Sequence, residues 1–561
     1  MKSYLKFLSR NKLYTFINVL GLSISLMFVI LIANYVVRNL TIDNNVEKKE
    51  RIYILGNEDY MATGYWNGQR LKARYPEVEQ ACGVAGGESS SVFISDKEYG
   101  AKVLYVDTTF FEMFSIKVLE GDAQTALISK GNVVISKSFA NKVFGTANPI
   151  GQTVKFTEGK EENRLKTVVG IIPDIENSIF PEADIITNFL NIGNSSITSE
   201  SMNNAGATGI FLLEKEGANL PSKTDDILAF FKTYFWPYVG GSSKEVLLVP
   251  FKGIYFADYD RPSFLSKGDK SFVAILISVG FLILLFSIVN YINLTVAQTG
   301  FRAKEMATRR LLGSSRGVLF GKLISESLVM CLAAFIIGFI LAITFQPFAN
   351  DLLQSKIDIL KDFSGMYLAS YICLIIFVSV LSGVIPASII SNFQPIEVVR
   401  GTFRRKTSMV YGKILIAFQN IITVTLIAGS ITMLWQINHL INAPMGYNYK
   451  NVIDISVWSG FKNMEQVPTT VNALKALPFV ELIGQGQGTP LSGGNNNTIA
   501  FGKERMISFQ ILIGDKPYYQ ILDMEIKRDN KLSSGTGWYF NEYAFKELGV
   551  SEDVPAVKMG A

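Results

Sequence analysis

The sequence has very little of the chemistry on which most enzymes depend. Among its 561 residues there is one histidine, His439, and there are three cysteines. A metal site built from several histidines and a Ser-His-Asp triad are therefore not expected. Cys82 lies in a polar segment, whereas Cys331 and Cys373 lie in long apolar stretches, so a disulfide framework is not expected either. We predict no catalytic site, no metal site and no cofactor bound by this chain.

Charge is also scarce, and it is unevenly distributed. Charged residues make up 18% of the chain and the mean hydropathy is +0.26, which is too apolar for a soluble protein of this length. Five stretches run for at least 24 residues without a charge, and about 20 apolar residues are enough for a helix to cross a bilayer. We predict transmembrane helices at 16–38, 271–298, 319–347, 365–390 and 412–438.

Two large polar segments, 40–268 and 440–561, remain between and after these helices. In the first of them, short β-branched and aromatic runs predict strands, and 136–144 predicts a helix that Gly145 closes. The predicted strands are 52–55, 102–106, 133–135, 153–156 and 167–172. The expected fold class is a membrane protein, with an α-helical transmembrane bundle and extracytoplasmic α/β domains.

Lysine and arginine concentrate in three places that set the orientation. These are the amphipathic leader 1–15, the segment 301–316, and the loop 391–411 with the start of the helix after it. Each carries a net charge of +4, although the whole chain is only +5. Cytoplasmic loops carry an excess of lysine and arginine, and all three places fall on one side of a five-helix membrane protein. We therefore predict a multi-pass inner-membrane protein with a cytoplasmic N-terminus. Nucleic-acid binding is not needed to explain the basic residues.

The chain also repeats itself, in order and at a nearly constant offset of 401 to 408 residues. The repeated pairs are 76–79 with 478–481, 107–114 with 515–522, 133–145 with 538–549, and the first apolar stretch with the fifth. We predict one complete half, consisting of a helix, a domain and three helices, followed by the incomplete beginning of a second copy. On this interpretation the natural protein has roughly 770–820 residues and forms a pseudo-dimer, whereas a chain of 561 residues would form a dimer.

The segment 301–316 has the properties of a short basic helix at a membrane surface. Arg302, Glu305 and Arg309 recur at i, i+3 and i+7, which places them on one helical face, and Gly313 suits a C-terminal cap. A solvated basic loop is the alternative. Lys322 and Glu326 lie one turn inside the third predicted helix at i and i+4. Charged groups there are costly, so we predict that these two pair with each other as an intramembrane ion pair.

Three motifs resemble those of the MacB/FtsX family of ABC transporter permeases, whose layout is a helix, a large periplasmic domain and three helices. Segment 132–151 resembles the signature of the family's periplasmic core domain. Segment 290–313 resembles the end of its second helix and its cytoplasmic coupling segment, and 394–400 resembles the segment after its fourth helix. The layout is similar to double-length members with a separate ATPase, and no Walker A motif is present.

The resemblance implies a set of functional residues and partners. The expected ATPase-coupling residues are Arg302, Lys304, Glu305, Arg309, Arg310 and Gly313. The expected second cytoplasmic motif is Pro395, Glu397 and Arg400. Both external segments are expected to be MacB-type periplasmic core domains, the second one truncated. The expected partners are two copies of a cytoplasmic ABC ATPase, which binds the ATP, and a periplasmic adaptor protein if the permease is an exporter.

The resemblance also implies a function without transport through a channel. ATP-driven closure of the ATPase moves the coupling segment, and the membrane helices pass this motion to the periplasmic domains. We expect mechanotransmission for efflux or extraction of a peptide, an antibiotic or a lipoprotein. The alternative is a regulator of the FtsX kind, which activates a cell-wall hydrolase or senses antimicrobial peptides.

Overall fold

In a computed structural model, the chain forms two compact units. One unit contains residues 1–42 and 268–442, and the other contains 43–267 and 443–561. The structure describes residues 9–95, 97–122, 126–156, 164–193, 195–201, 204–297, 299–391, 410–455, 466–491, 493–501, 505–528 and 538–549.

The helices and strands of the described residues are numbered in chain order. The α-helices are α1 Lys12–Leu40, α2 Trp66–Arg74, α3 Phe110–Met113, α4 Lys137–Phe144, α5 Ser195–Thr198, α6 Thr224–Phe231, α7 Trp236–Val239, α8 Lys270–Ala297, α9 Thr299–Leu311, α10 Arg316–Leu353, α11 Gly365–Ser391, α12 Val410–Asn442, α13 Gln466–Lys475, α14 Lys516–Ile521 and α15 Glu542–Leu548. Short 3-10 turns occur at Lys49–Arg51, Phe189–Asn191, Leu220–Lys223 and Ile254–Phe256. The strands are β1 Ile52–Gly56, β2 Val78–Ile94, β3 Lys97–Val106, β4 Glu120–Gly121, β5 Asn132–Ser136, β6 Thr153–Phe156, β7 Leu165–Ile172, β8 Ile185–Asn188, β9 Gly209–Glu214, β10 Leu247–Pro250, β11 Gly486–Gln487, β12 Asn495–Phe501, β13 Arg505–Ile511 and β14 Ile513–Gly514.

In the described part of the chain, the five helices α1, α8, α10, α11 and α12 are long and apolar enough to cross a membrane. Each overlaps one predicted span, although α10 continues to Leu353, six residues past the predicted end. The extension contains Asn350 and Asp351, which a hydropathy pattern excludes, but the backbone hydrogen bonds of a helix do not require apolar side chains. Hydropathy therefore located the apolar part of each helix rather than its ends.

The helices α1, α8, α10 and α11 share one core. Leu26 of α1, Ile288 of α8, Ala334 of α10 and Val378 of α11 belong to the same buried cluster. A Cβ atom added to Gly338 of α10 would lie only 2.8 Å from a backbone oxygen of α1, so the two helices cross in close contact. Small residues at such crossings allow the backbones to approach, which is a main source of helix association in lipid.

The first extracytoplasmic domain, within 43–267, contains one ten-stranded sheet. Its strand order is β10-β1-β9-β2-β3-β8-β5-β7-β4, and β6 pairs with β2 and β7. The β3–β8 and β5–β7 pairs are parallel and the other pairs are antiparallel. The five predicted strands all lie within β1, β3, β5, β6 and β7, and the predicted helix is α4 with its end at Gly145. This domain is therefore α/β, as the sequence predicts.

Two hydrophobic cores lie along this sheet. One contains residues of β1, β9 and the first half of β2, together with α2, α6 and α7, and its largest buried side chains include Phe231 and Phe235. The other contains residues of the far part of β2 with β3, β5, β6, β7 and α4, including Phe139. The long hairpin of β2 and β3 contributes to both cores, so it connects them mechanically.

The segment after α12 repeats local features of the domain within 43–267, at the offsets seen in the sequence. Asp107 and Gly83 exchange hydrogen bonds, with Asp107 N–H on Gly83 O at 3.0 Å and Gly83 N–H on Asp107 Oδ2 at 2.8 Å. Asp515 and Gln485 do the same, at 3.0 and 3.1 Å. A short helix follows each aspartate. These shared bonds support the interpretation of 443–549 as a second copy.

The ends of the repeated helices also correspond. Ser115 and Asp523, 408 residues apart, both have a left-handed backbone with φ of 55° and 51°. The next N–H in each copy closes the same type of turn, with Ile116 donating to Phe111 O and Met524 donating to Tyr519 O, at 2.9 and 3.0 Å. A left-handed residue after a helix is a common way to satisfy its last carbonyl groups.

Candidate functional site

The predicted coupling segment is a helix followed by a tight turn. α9 spans Thr299–Leu311, and Gly313 has a φ of 96°, which favours glycine. Ser314 N–H donates to Arg309 O and Gly313 N–H donates to Arg310 O, both at 3.1 Å, so the end of α9 is capped. Ser315 then begins α10 because its side chain accepts a hydrogen bond from Val318 N–H.

One side of α9 packs against the membrane helices of its own unit. Met306 is 2% exposed and forms a buried cluster with Leu319 and Leu323 of α10 and Ala387 of α11. Ala307, beside it in the sequence, is buried as well. This packing excludes the alternative of a solvated loop for the described part of the segment, because a loop of that kind would not bury apolar side chains.

A group of charged residues connects α9 to α10. Glu305 accepts hydrogen bonds from Arg309 of its own helix at 3.1 Å and from Lys322 of α10 at 3.2 Å. Lys322 also lies 3.8 Å from Glu326, which is 1% exposed. The predicted Lys322–Glu326 contact is therefore present but long, and Lys322 makes its closer contact with Glu305. Charges at a partly buried site attract more strongly than charges in water, so this group holds α9 to α10.

The C-terminal end of α9 exposes apolar side chains instead. Leu311 is 64% exposed and Leu312 is 81% exposed, and both follow the basic pair Arg309 and Arg310. Met306 and Leu312 thus mark two different environments of one short segment, one buried and one open. Exposed apolar side chains that adjoin polar ones mark contacts with another protein or with the membrane.

The other predicted residues have the following positions. Arg302 and Lys304 lie in the first half of α9, and Arg310 lies near its end, half-buried. Pro395, Glu397 and Arg400 lie outside the described residues. In the part of the chain that the structure describes, no group of three or more His, Cys, Asp or Glu is placed to hold a metal ion.

Two features of the site were not predicted from the sequence. Glu305 and Lys322 are 17 residues apart in two different helices, so no helical spacing relates them. Leu311 and Leu312 follow a basic segment with helical periodicity, and this position is the sequence signal that could have drawn attention to them.

Two family models match different regions of the chain. The family model of the MacB-like periplasmic core domain matches residues 15–229, and that of the FtsX-like permease C-terminal region matches 277–395. The first match contains most of α1 and most of the sheet, and the second contains most of α8 and all of α9, α10 and α11. Together they span more than half of the chain. Among curated proteins, none matches.

Solved structures similar to the chain include a permease domain, a periplasmic region and an extracellular domain. A permease domain from Porphyromonas gingivalis has 20% identity and a TM-score of 0.31, covering 38% of this chain and 94% of its own. The periplasmic region of MacB from Actinobacillus actinomycetemcomitans has 13% identity and a TM-score of 0.27, covering 36% and 90%. The extracellular domain of the ABC-type transporter YknZ from Gram-positive bacteria has 15% identity and a TM-score of 0.26, covering 35% and 99%.

The family matches agree with the architecture described above. They place a periplasmic core domain after α1 and a permease region on α8 to α11, and five helices among the described residues are suited to cross a membrane. Permeases of this kind are the non-catalytic membrane components of transporters, and they generally work with a cytoplasmic ABC ATPase. The chain belongs to the ABC transporter permeases of the MacB/FtsX type.

Proposed function

We propose that this permease transmits motion from a separate cytoplasmic ATPase to its periplasmic domains, and that α9 receives the motion. The observation that carries this proposal is the division of α9 into two parts. Met306, Ala307 and Glu305 attach the helix to the bundle, while Leu311 and Leu312 remain exposed. An element that passes on a displacement needs both a firm attachment and an accessible contact.

The two parts of α9 have different proposed roles. Glu305 and Arg309 act in the attachment to α10 through Lys322. Leu311 and Leu312 fill an apolar groove on the ATPase, and the basic residues Arg302, Lys304 and Arg310 add charge around that contact. Gly313 keeps the turn after α9 tight. Two ATPase copies, a periplasmic adaptor and the second motif at 395–400 complete the proposed assembly.

The docking part is tested by co-purification of the permease with its ATPase. The double variant Leu311→Ser, Leu312→Ser should reduce the amount of co-purified ATPase at least tenfold, because buried leucines contribute roughly 2 kcal/mol each to a contact. The matched control is Leu352→Ser, another exposed leucine at the far end of α10. Equal ATPase recovery from the double variant and from wild type would reject docking at this pair.

The proposed attachment of α9 to α10 predicts a different result for the same co-purification. Glu305→Gln and Lys322→Met should leave ATPase recovery close to that of wild type, because neither change touches the exposed leucines. ATP hydrolysis should then continue without the conformational change or phenotype that it normally drives. A loss of ATPase binding in both variants would instead place Glu305 in the docking contact, as the sequence alone suggested.

Export or extraction of a peptide, an antibiotic or a lipoprotein is the activity that we propose for the complex. Purification of the permease with its ATPase, followed by identification of co-purified periplasmic proteins, tests it. Recovery of an adaptor protein or a cargo supports export. Recovery of a cell-wall hydrolase or a histidine kinase would favour the regulatory alternative.

The proposed orientation has a cytoplasmic N-terminus and α9 on the cytoplasmic side. It can be tested with single cysteines at Ser201 and Ser314, after all three native cysteines are replaced by alanine. An impermeant thiol reagent added to intact spheroplasts should label the cysteine at 201 and leave the one at 314 unlabelled. The reverse pattern would overturn the orientation.

A further inference from the structure

The two chain segments that join the first periplasmic domain to its helices converge on one short stretch of that domain. The first linker, 41–43, follows α1, and the second linker, 266–269, precedes α8. The stretch between them in space is 177–179, in the turn region after β7. We call Asp43, residues 177–179 and Ser266 the linker clamp.

Asp43 makes three hydrogen bonds to this stretch. Its N–H donates to Asn177 O at 2.9 Å, its Oδ2 accepts from Ile179 N–H at 2.9 Å, and its Oδ1 accepts from the Ser178 hydroxyl. Asp43 is only 5% exposed although it lies three residues from the end of α1. Three bonds from one buried residue fix the first linker in place.

The second linker is bonded to Ile179 as well, at its carbonyl group. Ser266 N–H donates to Ile179 O at 2.8 Å. Ile179 therefore donates its N–H to the first linker and accepts from the second with its carbonyl. A displacement of either linker must act on this one residue, because both linkers are bonded to its backbone.

The clamp is continuous with the core of the domain through Phe180. Phe180 is 4% exposed and its ring lies 4.6 Å from that of Phe114 and 5.4 Å from that of Phe211. Phe211 belongs to β9, next to the centre of the sheet. Close-packed aromatic groups transmit a displacement because they cannot be compressed.

The two residues joined by the backbone hydrogen bond of the clamp, Asp43 and Asn177, both have an uncommon backbone conformation. Asp43 has a φ of 52° and Asn177 has a φ of 50°, in the left-handed region. Such conformations cost free energy for residues other than glycine and persist where surrounding contacts enforce them. The three bonds of Asp43 provide this enforcement.

We propose that Asp43 is a positioning residue that locks the two linkers together, so that the helices α1 and α8 act on the first periplasmic domain at a single point. The mechanical role rests on the proposed function above. The locking itself does not, since it concerns hydrogen bonds within the permease alone. The two parts can therefore fail separately.

Hydrogen exchange on the full-length permease, without the ATPase, tests the locking. In Asp43→Ala, exchange should become at least tenfold faster at Ile179 N–H, which loses its acceptor, and also at Ser266 N–H, whose acceptor is unchanged. Asp43→Asn keeps one acceptor oxygen and should give a smaller increase at both positions. If only Ile179 responds in both variants, the linkers are held independently and the proposal is wrong.

The matched control is Asp258→Ala. Asp258 is an exposed carboxylate that contacts the second linker through Lys267 at 3.1 Å, yet it has no bond to 177–179. Its loss should leave exchange at Ile179 and Ser266 within twofold of wild type. A tenfold increase at both positions in this variant would show that any change near the linker has the same effect, and it would overturn the assignment to Asp43.

The mechanical role is tested on the permease in complex with its ATPase. In wild type, ATP should change the hydrogen-exchange rates of the Ile179 and Ser266 amides together. In Asp43→Asn, ATP hydrolysis should continue but this joint change should be lost. Retention of the joint change in Asp43→Asn would reject the role of Asp43. Absence of any ATP-dependent change in wild type would instead count against the proposed function and leave the locking intact.

Discussion

The two copies of the repeat have the same local bonds but very different surroundings. Asp107 is 9% exposed and accepts a further hydrogen bond from the buried Tyr65 hydroxyl, whose ring stacks on Phe189. Asp515 makes the same exchange with Gln485, the residue before β11, but the hydrogen bonds of its side chain are exposed. The turn at this position is thus specified by a few adjacent residues, whereas its burial depends on residues far away in the sequence.

The membrane helices that begin the two copies differ in the same way. In the most apolar 18-residue stretch of α1, 39% of the residues are buried. Asn34 of this helix donates a hydrogen bond to Tyr371 Oη at 3.1 Å. In the corresponding stretch of α12, no residue is buried by the part of the chain that the structure describes. The comparison teaches that an internal repeat predicts which element forms, and does not predict what that element contacts.

The largest expected effect is the difference between alanine substitutions at Asp107 and at Asp515. Asp107→Ala leaves the Gly83 N–H and the Tyr65 hydroxyl buried without their acceptor, which should cost about 4 kcal/mol. Asp515→Ala removes a helix N-cap that water can partly replace, at about 1 kcal/mol. Hydrogen exchange on the full chain should therefore accelerate about a thousandfold at Gly83 and about fivefold at Gln485. Equal acceleration at the two amides would remove the distinction between the copies.

The second effect concerns Asp43, whose place in the second copy, 402 residues later, is taken by Met445. Burial raises the pKa of Asp43 to about 6, although the bonds from Ser178 and Ile179 and the charge of Lys49 oppose the increase. A raised carboxyl pKa means that the folded state binds the proton more tightly than the unfolded state. Stability from this group is present at low pH and is lost as the pH rises from about 4 to about 6.

The expected loss over this pH range is about 3 kcal/mol. It can be measured as the difference between wild type and Asp43→Asn, since other carboxyl groups titrate in both proteins. The unfolding temperature of wild type should fall relative to that of the variant between pH 4 and pH 6 and stay level above it. A constant difference across this range would show that Asp43 does not titrate there.

Some of this organisation could be predicted from the sequence, because it depends on short-range patterns. Uncharged stretches located the five long helices, and β-branched runs located strands such as β5 and β7. The long-range contacts could not be predicted in this way. Nothing in the spacing relates Glu305 to Lys322, or Asp43 to Ile179, since each pair is brought together only when separate elements pack. The same limit explains why the repeat predicted the turn at Asp515 but not its exposure.

The smallest of the three effects tests the difference between α1 and α12 directly. A side chain at Gly338 would meet Ser23 O at 2.8 Å and Leu26 Cβ at 3.1 Å across the α1–α10 crossing, whereas no described residue lies within 4 Å of a Cβ added to Gly429 of α12. Gly338→Leu should therefore force the helices apart and cost about 2 kcal/mol, while Gly429→Leu should be close to neutral. Both variants add the same side chain to a glycine in an apolar helix, so differences in hydropathy cancel. Thermal unfolding of the full chain in detergent should show a lower unfolding temperature for Gly338→Leu alone. If Gly429→Leu were equally destabilising, α12 would have a close partner in the folded protein, and the contrast between the two helices would not hold.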